Sequence, residues 1–221
     1  MQNKQLIVDD EIILQEIGQD EVKPIFETIH AERKYLGEWL PFVDYTLELS
    51  DTQNFIDNLV VNETKDLTFA IYYHNKFVGL VGLKDPDYDN RKIEIGYWVA
   101  EQYQHKGIIT NSCRKLIEYA FNELDFNRIQ LKSATQNLKS QFVAKRLGFK
   151  KEGIERDGEL HKRGYVDLIV YSLLKKDLEK KSRGFERLYY VSVQPYQRLK
   201  TLTAVEKHIS FAFEPTFQLT N

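Results

Sequence analysis

Hydrophobic and polar positions change rhythm several times along the chain, and each rhythm predicts an element. LIVDDEIILQEI, from Leu6 to Ile17, reads as one or two strands. DEVKPIFETIHAERKYLGEWL then places Val22, Ile25, Phe26, Ile29, Leu36 and Leu40 at roughly helical spacing. Pro24 falls near the start of that helix, where its missing N–H costs little. LSDTQNFIDNLV offers Ser50 or Asp51 as a cap and Phe55, Ile56, Leu59 and Val60 as an apolar face, so a second helical region follows. Three strands come next: LTFAIYYH and KFVGLVGLKD around a short His74-Asn75 turn, then KIEIGYWVA after the turn DPDYDN.

The second half alternates. GIITNSCRKLIEYAFNEL carries one stripe of Ile109, Cys113, Leu116, Ile117, Ala120, Phe121 and Leu124 and predicts a helix. RIQLKSAT predicts a strand, LKSQFVAKRLG a helix stopped by Gly148, and YVDLIVYSLLK a closing strand. This order predicts an α/β fold, with a sheet flanked by helices on both faces. From about Lys180 the character shifts to EKKSRGFERLYYVSVQ, a charged, glycine-containing break followed by ambiguous apolar segments. Two regions are therefore expected, a domain over residues 1–179 and an extension over 180–221 whose role the sequence does not reveal.

Composition narrows the setting. A 221-residue chain with 42% hydrophobic and 29% charged residues can bury one substantial core. The net charge of −2 gives no general pull toward nucleic acid or anionic membrane. No apolar run approaches the roughly 18 residues a bilayer needs, and acids interrupt the N-terminus before a signal h-region forms. A single cysteine, Cys113, fits a reducing cytoplasm and, on the apolar stripe of its helix, reads as a buried structural thiol. The five histidines show no metal-ligand spacing, so no metal is expected.

One stretch raises a chemical question. In YQHKGIITN a glycine stands between a strand and the first turn of a helix. A helix N-terminus leaves its first N–H groups unpaired and carries about half a positive charge, which suits an anion. Gly107 would let the backbone approach closely, and Lys106 would add a cation. An ordinary strand–helix connection is the other reading of the same residues.

Taken in order, IEIGYWVAEQYQHKGIITNSCRKLIEYAF, NRIQLKSATQNLKSQFVAKRLGFKKEG and GYVDLIVYSLLKKD resemble the GNAT N-acetyltransferase family. More narrowly they resemble its RimL/RimJ-like branch, which acetylates ribosomal-protein N-termini; ERKYLGEWLPFVD fits that branch as well. The resemblance spans roughly Leu6 to Leu178. It implies the GNAT acyl-CoA N-acyltransferase fold, a mixed twisted sheet that splays near its middle. It also implies acetyl-CoA as cosubstrate. The family's pyrophosphate motif, Q/R-x-x-G-x-G/A, falls on Gln104, His105, Lys106, Gly107, Ile108 and Ile109. Gln104 and Gly107 match, Ile109 occupies the usual Gly/Ala place, and His105 stands where the branch often has another glycine. The pantetheine arm would run beside Trp98 and Val99 and meet Asn137.

By the same resemblance Glu159 is the general base and Ser140 the hydroxyl that donates to the departing sulfur. Without it, Glu159 reads as a solvated loop carboxylate and Ser140 as a helix-capping residue, a role compatible with donation. Trp39 and Phe42 border the acceptor by resemblance and otherwise simply pack. The implied reaction is acetylation of a protein or peptide α-amine. Rival readings are a small-amine acetyltransferase and a non-catalytic acyl-CoA sensor. A homodimer is a state the branch often adopts.

Overall fold

The computed structural model describes residues 4–61 and 65–178. Among these, β1 (Gln5–Ile7) and β2 (Ile12–Glu16) lead into α1 (Val22–Ala31), α2 (Arg33–Leu36) and α3 (Leu49–Val61). β3 (Leu67–Tyr73), β4 (Lys76–Asp87) and β5 (Lys92–Val99) follow. The second half contains α4 (Ile108–Asn122), β6 (Arg128–Ala134), α5 (Leu138–Leu147), β7 (Lys150–His161) and β8 (Gly164–Leu174). The described strands form one sheet in the order β1-β2-β3-β4-β5-β6-β8-β7. Only the β5–β6 pair is parallel among them, as a crossover through α4 requires.

Local chemistry explains most of these elements. His74 and Asn75 both take positive φ, 48° and 61°, as a two-residue hairpin turn with the strands' own twist demands. In β6, Ile129, Leu131 and Ser133 are buried and alternate with half-buried Arg128, Gln130 and Lys132. In α4, Ile109, Cys113, Leu116, Ile117, Ala120 and Phe121 are all buried, and each large side chain among them contributes roughly 1.5–3 kcal/mol. α5 is capped by Asn137, whose side chain accepts from the Ser140 amide, and is stopped by Gly148 with φ 89°.

The sheet register separates two faces. Ala70, Leu80 and Trp98 form one cross-strand row, and Phe69, Val81 and Tyr97 form the next, on the opposite face. The first row packs under Val22, Ile25, Ile29, Leu36, Val43 and Ile56 from the α1–α3 region. The second face carries α4, which lies against β2, β4 and β5. The α/β sheet flanked by helices therefore stands as expected.

Several boundaries differ from the sequence expectation. The helical run over residues 20–40 breaks at Glu32, whose φ −101° and ψ 14° leave the helical range. Neither Ser50 nor Asp51 is the residue preceding α3. The helix starts at Leu49, and the Asp51 carboxylate reaches back to accept from the amides of Leu47 and Glu48. β4 continues through Pro86 to Asp87 over a bulge, with Asp85 at φ 54°, so the turn before β5 is shorter than DPDYDN. The largest omission is β7. Among the described residues its outer edge has no partner strand, and all of its residues are exposed or half-exposed, so no alternating apolar pattern announces it.

Residues after Leu178 lie outside the described residues, and with them the expected extension. No helix among the described residues is long and apolar enough to cross a membrane.

A polar clamp ties the far end of the sheet. Arg128 on β6 donates two hydrogen bonds to Glu152 on β7, at 2.7 and 2.6 Å, and Ser172 on β8 donates a third at 2.7 Å. Arg128 first, then Ser172, lowers the Glu152 pKa to about 2. A carboxyl depressed in the fold stabilises above its unfolded value and loses that contribution as pH falls through the folded one. Wild type should therefore lose more stability than Glu152→Gln between about pH 4.5 and 2. Denaturant melts across that window measure it, and parallel pH profiles would remove the clamp from the account.

Candidate active site

The cleft comes from unequal strand pairing. β5 pairs with β4 to its end, at Gly79 opposite Val99, and β6 pairs with β8 as far as Ala134. β5 and β6 pair with each other only from Lys92–Arg128 to Glu94–Gln130. Beyond Glu94 the two strands part, and a cavity of about 470 Å³ opens between them. The edge of β5 from Ile95 onward has no β6 partner, which leaves backbone groups free for an extended ligand.

At one end of this opening lies the turn before α4. Gln104 is extended, His105 adopts φ 61° and Gly107 adopts φ 78° as the residue preceding the helix. A left-handed non-glycine residue such as His105 stores strain that needs support from its surroundings. Among the described residues, no carbonyl or side chain accepts the amide protons of residues 105–110, although Asn111 already bonds back to the Gly107 carbonyl. Unpaired donors at the positive end of a helix dipole suit an anion. Gln104, His105, Gly107, Ile108 and Ile109 line the cavity. Ile109 in the usual Gly/Ala place turns its side chain into the core, so only its backbone is offered to a ligand.

Lys106 is not brought into the lining. Its ammonium stands 5.4 Å from the ring centres of Tyr73 and Tyr103. Lys139, from the first turn of α5, lines the cavity instead and donates to Gln104 Oε1 at 2.8 Å, which brings its cation onto the motif.

Trp98 and Val99 line the opening and are each 8% exposed, with Trp98 edge-on to Phe77. Asn137 also lines it, and its Oδ1 accepts from the Ser140 amide at 3.1 Å, so it holds the start of α5 whatever else it binds. Ser140 Oγ sits 2.9 Å from the hydroxyl of Tyr97. Strand alternation turns Tyr97 away from the face of Trp98 and toward α4 and α5. That neighbour was not recognised in the sequence, where the two residues are 43 positions apart.

Glu159 sits on β7, not in a loop, just past a bulge between Glu155 and Glu159. A bulge re-aims the side chains that follow it. Glu159 lines the cavity, and its Oε2 meets Nε2 of His161 at 2.7 Å. The carboxylate side chain keeps 42% exposure, while the imidazole keeps only 8%. His161 was also missed; an i, i+2 pair shares a face only on a strand, and the strand itself was not foreseen.

At the parting point Glu94 accepts from Gln130 at 3.1 Å and pairs with Lys84 at 3.0 Å. Burial alone would lower the Lys84 pKa, but Glu94, Asp85 and Glu159 more than offset it and hold it above the ordinary lysine value. A fixed ammonium therefore stands within electrostatic reach of Glu159. Cys113 is fully buried, and desolvation pushes its thiol far up, which disfavours a thiolate nucleophile.

The acetyltransferase (GNAT) domain family matches residues 11–150. YdaF of Bacillus subtilis strain 168, provisionally named a ribosomal N-acetyltransferase, is 34% identical over 178 residues, 78% of this chain and 96% of its own. The ribosomal-protein-serine acetyltransferase of Escherichia coli K12 is 25% identical over 167 residues, 75% of this chain and 93% of its own. Among solved structures, the microcin C7 self-immunity acetyltransferase MccE, in complex with acetyl-CoA and AMP, superposes with a TM-score of 0.71 at 28% identity. That superposition covers 76% of this chain and 94% of the MccE chain. With the splayed sheet and the free amides before α4, these matches show that the chain belongs to the GNAT family and is an acetyltransferase whose acetyl donor is acetyl-CoA.

Proposed function

We propose that the chain acetylates the α-amine of a protein or peptide, with a ribosomal protein as the acceptor class its relatives favour. The observation that carries this reading is the convergence of Glu159, paired with His161, and of Ser140 on the cavity where β5 and β6 part. Residues 104–109 and Asn137, with Trp98 and Val99 along β5, would hold acetyl-CoA so that its thioester reaches this point. The acceptor nitrogen attacks the carbonyl carbon as Glu159 takes its proton. The carbon–sulfur bond then breaks, with Ser140 donating a hydrogen bond to the leaving sulfur. An α-amine, with a pKa near 8, is neutral far more often at physiological pH than a lysine near 10.4, so a carboxylate base suffices.

The acceptor side of the cavity supports a peptide over a polyamine. Tyr35, Leu36, Trp39 and Leu40 supply an apolar wall. The charged lining includes four Lys or Arg residues (Lys84, Lys132, Lys139, Arg146) against three carboxylates (Asp85, Glu94, Glu159), so a polycation meets no acidic excess. Gly96 lies between Glu94 and Trp98 on the same face of β5, and a Cβ there would meet nothing within 4 Å. A mid-strand glycine that neither packing nor a positive φ requires leaves room for an incoming group. Gly96→Leu should raise the acceptor KM about tenfold or more and leave acetyl-CoA affinity within about twofold. An unchanged acceptor KM would take Gly96 out of the acceptor path.

Release of free CoA with peptides bearing Ser, Ala or Thr at the N-terminus, alongside polyamines and amino acids, tests the whole reading. Turnover confined to polyamines or amino acids would replace the acceptor class. Tight acetyl-CoA binding without turnover on any amine would favour a sensor.

A further inference from the structure

We propose that the Tyr97 hydroxyl sets the direction in which Ser140 donates its hydrogen, making Tyr97 a positioning residue for departure of the thiol. The inference rests on the role given to Ser140 above. Tyr97 Oη lies 2.9 Å from Ser140 Oγ and 3.4 Å from the Ser140 carbonyl oxygen. Burial, and then the neighbouring Cys113, pushes the Tyr97 phenol far above its ordinary range, so its single proton stays in place at any working pH.

Among the described residues that proton has two acceptors within reach, the Ser140 carbonyl and Ser140 Oγ. Donated to the carbonyl, it would leave Ser140 free to turn its own hydrogen back onto Tyr97. Donated to Oγ, along the shorter contact, it excludes the serine hydrogen from the Tyr97 direction, because two hydrogens cannot occupy one O···O line. The Ser140 backbone N–H already donates to Asn137 Oδ1, so the hydroxyl hydrogen is the donor Ser140 has left to offer the cavity. A serine in the first turn of a helix otherwise tends to bond back to a carbonyl three or four residues earlier. The phenol competes with that local bond by occupying one side of Oγ. It transfers no proton itself: the serine hydrogen bond meets the charge that gathers on sulfur as the carbon–sulfur bond opens.

The experiment is a double-mutant cycle with Tyr97→Phe, Ser140→Ala and the double variant, measured by free-CoA release with acetyl-CoA and a peptide acceptor. Y97F should lower kcat roughly tenfold, the effect of one net hydrogen bond on a barrier, and hold KM for acetyl-CoA within about twofold. In the S140A background Y97F should cost nothing further. Y97F at wild-type kcat with S140A slow would overturn the inference and leave the Ser140 role standing. S140A at wild-type kcat would remove the Ser140 role, and this inference with it. Losses that multiply in the double variant, or a Y97F melting temperature that falls while both KM values rise, would reduce Tyr97 to packing and overturn the proposal.

Discussion

Glu159→Gln is expected to lower kcat about a hundredfold or more while acetyl-CoA affinity stays within about twofold of wild type, the range for loss of a positioned general base. The substitution conserves volume, so β7, its bulge and the wall of the cavity stay in place. It removes the carboxylate that would receive the amine proton, a group needed only after acetyl-CoA is bound. Binding and turnover must therefore separate. His161 gives a companion measurement. Its imidazole is almost fully buried and meets Glu159 Oε2 at 2.7 Å, so His161→Ala should reduce kcat less than Glu159→Gln by loosening the carboxylate. If Glu159→Gln turns over as wild type across the pH range, the base is another group.

Gly107→Glu should weaken acetyl-CoA binding about ten- to thousandfold, measured by calorimetry or fluorescence quenching. At 4 Å a carboxylate facing a phosphate costs about 1–4 kcal/mol, according to how much water screens the pair. Backbone strain is a separate contribution, because Gly107 sits at φ 78°, where a Cβ costs roughly 1–2 kcal/mol. Space is not the obstacle, since the nearest atom to an added Cβ is Asn111 Nδ2 at 3.9 Å. Gly107→Ala therefore serves as the control. It carries the strain without the charge and should lower the melting temperature with a smaller loss of affinity. Equal affinity losses for Ala and Glu would assign the effect to strain, and normal affinity in Glu would move the pyrophosphate elsewhere.

The parts legible in the sequence are those whose physics is local. The α4 stripe from Ile109 to Phe121 follows from a 3.6-residue period, and the His74-Asn75 turn from the tolerance of those residues for positive φ. The turn from Gln104 to Ile109 could be located because a helix start leaves its own amides unpaired wherever it occurs. β7 could not, since an edge strand with exposed and half-exposed residues has no period to detect. Resemblance alone points to Glu159 in the sequence, and nothing there points to His161 beside it, because only a strand brings residues two apart onto one face. Lys106 shows the converse. Adjacency in the motif puts it at the site, but the fold sends its side chain over the rings of Tyr73 and Tyr103, and Lys106 itself does not line the cavity.

What the sequence determined alone was a set of segments with fixed local geometry: alternating strands, striped helices, and a glycine that lets the backbone turn left-handed just before α4. Where those segments meet was decided by the sheet. The pairing of β5 with β6 stops after three residues, while each stays bonded to its other neighbour, so the cleft is a property of register between distant segments. The same holds for Tyr97 against Ser140 and for Lys84 against Glu94. Hydrogen bonds between side chains depend on three-dimensional distance, which periodicity along one segment does not encode.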